Sequence, residues 1–361
     1  MKWTRGLVKA IGYRVLSIVI QLLIVGFTVG WVWTPVVFLL NGVLVAVYVL
    51  YEKAWDRVVS FVDTGGIRKL YPRIPLSVKL RALAANARPF TLLLPIVGGY
   101  LMVQASLGRF ELPTPDPFIT VGAVASMMLV NAAGNYWNSL ADLEIDRINK
   151  PYRPLPSGVL SEREVRAAAG LMSILSVVVA WFINPVFFVL ALAMMLATMA
   201  YSLEPVRLKK RLWLNNGSQA LIRGVLGPLA MWSIYAPVGQ SVMILASTMF
   251  LFIVTAQSIK DIPDMRGDSF FNVRTIPVVY GIDNTKGIIL GGYIWTGVLT
   301  VLLCMGVGVL VPVLFVPTAF AFVYFTFKPR ATITENNLAW NLFYASMLAL
   351  ILGFTLSRVL L

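Results

Sequence analysis

Apolar residues in this chain are gathered into long uninterrupted runs, and the polar residues fall between them. The runs lie roughly at 14–33, 35–52, 89–107, 117–140, 164–182, 185–203, 213–235, 240–258, 287–308, 309–327 and 339–360. A helix needs about 20 apolar residues to cross the hydrocarbon core of a bilayer, and each run is close to that length. The pattern predicts eleven helices, with Asn184-Pro185 and Val311-Pro312 marking two tight divisions. The first run lacks a small-residue cleavage pattern and a second follows at once, so it is read as a retained span rather than a signal peptide.

Composition agrees. The chain is 58% hydrophobic and 13% charged, whereas soluble domains carry about 25% charge. This is the make-up of an all-α polytopic membrane protein. The net charge of +14 could suggest nucleic acid, but its placement excludes that partner. If the N-terminus is cytoplasmic and eleven spans alternate, 27 of the 30 Lys and Arg residues fall on the cytoplasmic side, as the positive-inside rule requires. Arg109 and Arg358 fall on the other side, and Arg223 lies inside a run. The single cysteine, Cys304, permits no disulfide framework, and there is no histidine. The latter excludes His-based acid–base catalysis and the usual zinc and haem sites.

The chain divides into a hairpin (1–56), a basic connector (57–87) in which Val78–Ala87 suits an interfacial helix, and a nine-helix domain (88–361). The long loops of that domain, 141–163, 204–212 and 260–286, all fall on the cytoplasmic face, so function is expected there.

Six of the 16 acidic residues sit in two short segments, Asn138-Ser-Leu-Ala-Asp142-Leu-Glu-Ile-Asp146 and Asp261-Ile-Pro-Asp264-Met-Arg-Gly-Asp268. Asn138, Asp142 and Asp146 are spaced i, i+4, i+8, which drifts only about 40° per step on a helix. Asn131 and Asn135 continue that stripe into the membrane, and Glu144 points elsewhere. Asp261, Asp264 and Asp268 share a face if the helix continues past Pro263. A polar stripe on an apolar helix faces the bundle interior or a water-filled cavity. Paired groups of hard oxygen ligands suit Mg²⁺, which binds a few carboxylates together with substrate phosphates. Cations stand nearby: Arg147, Lys150 and Arg153 in a proline-rich loop, Arg207, Lys209, Lys210 and Arg211 after the sixth run, and Lys260 and Arg266 around the second cluster.

On these residues the chain resembles the UbiA superfamily of intramembrane prenyltransferases, over about 88–360. That family pairs an N-D-x-x-D-x-x-x-D motif after its second helix with a D-x-x-D-x-x-G-D motif after its sixth. The loop Ile148–Gly158, the run Lys260–Asp268 and the segment Tyr201–Lys209 are also similar to family patterns. Two departures stand out: Ser139 replaces the usual acid, and the Tyr201-to-Lys209 spacing is longer. The hairpin is extra, and its Glu52-x-x-Trp55-Asp56 ending resembles a small two-helix membrane module found separately in microbes.

The resemblance implies a nine-helix bundle that transfers a prenyl group from a prenyl diphosphate to a lipophilic acceptor. Asn138, Asp142, Asp146, Asp261, Asp264 and Asp268 would hold two Mg²⁺, and Arg153, Lys209 and Lys260 would bind diphosphate oxygens. Tyr201 and Tyr136 would face the allylic cation, which aromatic rings stabilise. The acceptor is either a glycerol-phosphate ether lipid, as in digeranylgeranylglyceryl phosphate synthesis, or an aromatic quinone or chlorin precursor. The rival from another class is a cation-coupled transporter, which would place ionisable groups near the bilayer midplane.

Overall fold

The computed structural model describes residues 74–108, 116–326 and 338–360; the hairpin 1–56 lies outside them. Helix α1 (Leu76–Asn86) precedes α2 (Pro89–Leu107), α3 (Pro117–Ala141) and the short α4 (Leu143–Asn149). Helices α5 (Glu162–Trp181) and α6 (Pro185–Ser202) form the next pair. Helix α7 spans 214–232, α8 is Gln240–Lys260 and α9 is the short Met265–Phe270. Helices α10 (Ile276–Leu302), α11 (Leu310–Thr326) and α12 (Leu338–Leu360) complete the bundle. Seven of these helices are long and apolar enough to cross a membrane: α2, α3, α5, α6, α8, α10 and the Ala339–Leu360 part of α12. Segment 214–232 and α11 pack among them.

The starts of several helices are written in the sequence. Asp116 and Asn184 each precede a proline at the first helical position, and their side chains accept hydrogen bonds from Phe118 and Ile119, and from Phe187. Proline costs nothing there, because that N–H has no intrahelical partner. Ser161 and Glu164 form a reciprocal capping box at the start of α5, satisfying two more orphan donors.

Outward-facing positions carry large apolar side chains. On α5, Leu171, Ile174, Leu175 and Val178 are exposed, with Trp181 and Phe182 at its end; α10 exposes Ile294, Trp295, Val298 and Val301. A soluble monomer rarely exposes apolar patches of this extent. With the long apolar helices, this defines a multi-pass membrane protein. Inside, a large apolar cluster runs from Leu94 to Phe354, and a smaller one packs α1 and the 150–161 loop against α3 and α5.

Two expectations are corrected. Helix α10 begins at Ile276, eleven residues before the apolar run at 287, with a bend at Gly281 (φ 79°). The apolar run missed its polar first turns because Asp283, Asn284 and Lys286 interrupt the hydrophobicity. The second acidic cluster is not one helix: Gln257–Lys260 is a 3₁₀ turn, 261–264 is a tight turn, and α9 starts afresh at Met265. Pro263 cannot continue the preceding ladder.

Close approach of α12 to α11 depends on Gly353, whose added Cβ would lie 2.6 Å from Val311 Cα and 2.7 Å from Leu310 O. Both are backbone atoms that cannot rotate away. Gly353→Ala should therefore destabilise the protein by about 1–3 kcal/mol. Gly170→Ala on α5, where a Cβ meets nothing within 4 Å, should be neutral or stabilising by up to about 1 kcal/mol. Thermal unfolding in detergent distinguishes them, and equal melting temperatures would contradict this packing.

Candidate active site

One end of the bundle collects both acidic clusters. Helix α3 stops at Ala141, yet the backbone bonds Asp142 N–Asn138 O (2.9 Å) and Asp146 N–Asp142 O (2.7 Å) carry the i, i+4 pattern through the joint into α4. Asn138 donates to Asp142 at 2.7 Å. The second cluster is brought alongside by α4. Asn149 donates to Asp264 O at 2.9 Å and accepts from Gly267 N at 2.9 Å. Gly267 is required there, because a Cβ would lie 2.6 Å from the Asn149 amide.

Each carboxylate but one has a counter-charge or donor. Lys209 and Arg207 both bond Asp142, and Arg207 also donates to Ala141 O at 2.6 Å. Arg153 donates to Asp146 at 2.8 Å. Lys150 lies 2.6 Å from one Asp264 oxygen and donates to the other at 2.8 Å. Asp261 accepts from Asn215 at 2.8 Å and lies 3.5 Å from Lys260. Lys260 donates to the Tyr201 hydroxyl at 2.6 Å, and that hydroxyl donates to Asn215 at 2.9 Å. The exception is Asp268, fully buried with neither oxygen hydrogen-bonded.

The electrostatics follow. Burial would raise the Asp142 carboxyl, but Lys209, Arg207 and Arg88 outweigh it and hold it below the ordinary value. Burial would depress Lys209, yet Asp142 and Asp268 hold it protonated above the usual lysine range. Asp261 is raised, by burial first and by Asp264, against the pull of Lys260 and Lys209. Asp268 is pushed up to about 7 by burial, with Asp261, Asp264 and Asp142 adding repulsion that Lys209 only partly offsets.

From this end a cavity of about 140 Å³ leads into the bundle. Its apolar lining includes Met102, Met127, Met194 and Met231, and its polar lining includes Asn131, Asn135, Asn138, Tyr201 and Lys260. Asn135 donates to Ala87 O (2.8 Å) and to Thr91 (2.9 Å), so the stripe on α3 also fixes the joint between α1 and α2.

Not every residue read from the sequence reaches this place. Tyr136 donates to Leu83 O at 2.9 Å and packs in the smaller apolar cluster. Arg147 pairs with Glu144 on the exposed surface, and Arg266 is exposed. Ser139 is buried and donates to Asn86 at 3.1 Å, facing α1. Among the described residues, no three Asp, Glu or Cys side chains come together closely enough to hold a metal ion by themselves, because cations are interleaved with the acids. Asn149 and Asn215 were not marked by the acidic motifs, whereas Arg207, one of the cations expected near the acids, reaches Asp142. Asn215 had a signal: Asn215, Gln219 and Arg223 are spaced i, i+4, i+8 on an apolar helix, the same rule that exposed the α3 stripe.

Acids, lysines and a tyrosine are thus gathered at one end of an apolar, multi-pass helical bundle. The model of the UbiA prenyltransferase family matches residues 92–355, and the chain belongs to that family. It is 31% identical over 204 residues to the bacteriochlorophyll synthase 33 kDa chain of Cereibacter sphaeroides, covering 56% of this chain and 67% of that one. It is 32% identical over 209 residues to digeranylgeranylglyceryl phosphate synthase of Thermococcus kodakarensis, covering 56% and 70%. With the chloroplastic chlorophyll synthase of Oryza sativa, at 29% identity, the match spans only 54% of the relative's length. Among solved structures, a UbiA homolog from Archaeoglobus fulgidus bound to GPP and Mg²⁺ superposes with a TM-score of 0.61 at 18% identity, covering 78% of this chain and all of that one. This likeness shows the fold.

The buried, unpartnered Asp268 gives the metal-free protein a defined pH response. An aspartate ordinarily titrates near 3.9, so the folded state holds this proton more tightly than the unfolded chain. The associated stability is full below about pH 4 and is lost as pH rises through about 7. In chelator, the melting temperature should fall between about pH 5 and 8. Asp268→Asn should flatten that fall and, at pH 8, raise the midpoint by about 3 °C or more. A level wild-type profile, or one that Asp268→Asn leaves unchanged, would contradict the assignment.

Proposed function

We propose that the protein transfers a prenyl group from a prenyl diphosphate to a lipophilic acceptor, releasing pyrophosphate, with divalent metal, read as two Mg²⁺, as cofactor. The observation that carries this reading is the convergence of both acidic clusters, through Lys150, Asn149 and Lys209, at the end of a largely apolar cavity. The domain responsible is 88–361, with the site and the N-terminus on the cytoplasmic face. Membership of a prenyltransferase family supports this reading, and a fold neighbour was solved with GPP and Mg²⁺.

The residues fit a divalent cation. Asp268 presents two buried oxygens without a partner, and a buried unpaired carboxylate is costly until a cation or proton meets it. Asn138, Asp142, Asp146, Asp264 and Asp268, assisted by Asp261, would hold the metal. When bound, Mg²⁺ supplies positive charge to the departing diphosphate.

The chain's own groups do the rest. Lys209, Lys260 and Arg153 are held at the site by Asp142, Tyr201 and Asp146, and each can turn its donors to a diphosphate oxygen. Charge-assisted bonds of this kind stabilise the leaving group as the allylic C–O bond ionises. Tyr201 lines the cavity, with its hydroxyl fixed by Lys260 and Asn215, so its ring is positioned to stabilise the carbocation. The methionine-rich wall excludes water, which would otherwise capture that cation. With no histidine in the chain, the acceptor's proton passes to a carboxylate or to pyrophosphate.

The acceptor is a glycerol-phosphate ether lipid or an aromatic or chlorin precursor, the two classes that the relatives' names span. The transporter alternative has no support, since the acids sit at helix ends. Asp142→Ala and Asp264→Ala should each lower Mg²⁺-dependent pyrophosphate release from geranylgeranyl diphosphate by about 10²-fold or more. Mass spectrometry of products from a panel of acceptors identifies the second substrate. Full turnover in both variants would overturn the reading.

A further inference from the structure

The cavity continues past Tyr201 and Lys260 along a second polar stripe. Asn215 is tied to Tyr201 and Asp261 at the acidic end. Gln219 and Arg223 follow one and two turns further along α7, and both line the cavity. Eight residues of helix place Arg223 roughly 12 Å deeper into the bundle than Asn215. It sits within a π-helical turn, Leu221–Leu226, an irregularity frequent at functional sites.

Arg223 carries a permanent charge with five N–H donors. One of them donates to the Tyr344 hydroxyl at 3.1 Å, and among the described residues no carboxylate lies within salt-bridge distance of it. A cation inside a membrane bundle is expensive and calls for an anionic partner. A second, independent gap faces the same space. Gln257 lines the cavity, is only 1% exposed, and its carbonyl oxygen has no hydrogen-bond partner. A buried amide oxygen left unsatisfied keeps its full desolvation cost. The lining of this largely apolar cavity thus combines the strong donors of Arg223 with the unsatisfied amide of Gln257.

We propose that Arg223, with Gln219, forms an oxyanion subsite for the lipophilic acceptor, and that Gln257 accepts a hydrogen bond from a hydroxyl or N–H of the same molecule. The acceptor therefore carries a phosphate or a carboxylate, and that group lies deeper in the bundle than the donor's diphosphate. This rests on the prenyl-transfer reading, because it assigns the cavity's second occupant.

The test uses the full chain purified in detergent, without donor, and reads ligand-induced shifts in melting temperature over a concentration series. The probes are a 1-O-alkylglycerol phosphate, a fatty acid of equal chain length and the neutral 1-O-alkylglycerol. Stabilisation by the phosphate, by the carboxylate or by both, but not by the neutral compound, is expected and assigns the oxyanion. Arg223→Gln should weaken the anionic probe by about 30-fold or more, and Arg223→Lys should recover part of that loss. Equal binding of neutral and anionic probes by the wild type would overturn the proposal, and this comparison needs no variant to fold. Unchanged affinity in a cooperatively folding Arg223→Gln protein would overturn it too. Mg²⁺-dependent binding of geranyl diphosphate to the wild type is measured in parallel. Its absence would sink the prenyl-transfer reading and leave the oxyanion result to be judged separately.

Discussion

Carboxylates buried at the edge of a low-dielectric bundle must be neutralised, and that single constraint organises this end of the molecule. Asp142 is closed by Lys209 and Arg207, Asp146 by Arg153 and Asp264 by Lys150. These pairs join the end of α3, the proline-rich loop, the loop after α6 and the turn before α9. Removing one partner of a buried pair typically costs about 3–5 kcal/mol, because the other is stranded. The pairs therefore do more than balance charge; they tie the end of α3 to the three connecting segments around it.

The same balance bears on the chemistry. Five carboxylates (Asp142, Asp146, Asp261, Asp264, Asp268) share this end with six cations (Arg88, Lys150, Arg153, Arg207, Lys209, Lys260). A diphosphate entering such a set meets little surplus of positive charge, since Lys150, Arg153, Arg207, Lys209 and Lys260 are already engaged by an acid or by Tyr201. On the proposed reading, a divalent metal resolves this. The carboxylates would hold the metal, and the lysines and arginines now paired with them would then be free to bind phosphate oxygens. Asp268, without any partner, is where that exchange has least to displace.

Much of this architecture was legible because the bilayer enforces it. Every described span except α10 begins and ends within a few residues of its apolar run, since length and hydrophobicity are the physical requirement itself. The first acidic cluster was legible for a related reason: backbone bonds run through the Asp142 joint, so i, i+4, i+8 arithmetic holds. It fails for the second cluster, where Pro263 breaks the ladder and the acids meet through turns. The cation–carboxylate pairs could not be read from spacing, since Lys209 and Asp142 are 67 residues apart and meet through loop conformation. Arg207 reaches Asp142 from a left-handed backbone position (φ 31°) that sequence does not announce. The α7 stripe follows the α3 rule, with Asn215, Gln219 and Arg223 at i, i+4 and i+8, but it carries no carboxylate to mark it.

The two stripes show how polarity can enter a membrane bundle at acceptable cost. On α3 the groups inside the span are amides, which can satisfy one another without net charge: Thr91 donates to Asn131, and Asn135 donates to Thr91 and to a backbone carbonyl. Carboxylates appear only where loop lysines and arginines can reach them. The α7 stripe obeys the same order through Asn215 and Gln219, then breaks it at Arg223. An amide there could have been satisfied by Tyr344 alone. A guanidinium cannot, and since no carboxylate among the described residues compensates it, an anionic group on the proposed acceptor would meet its charge.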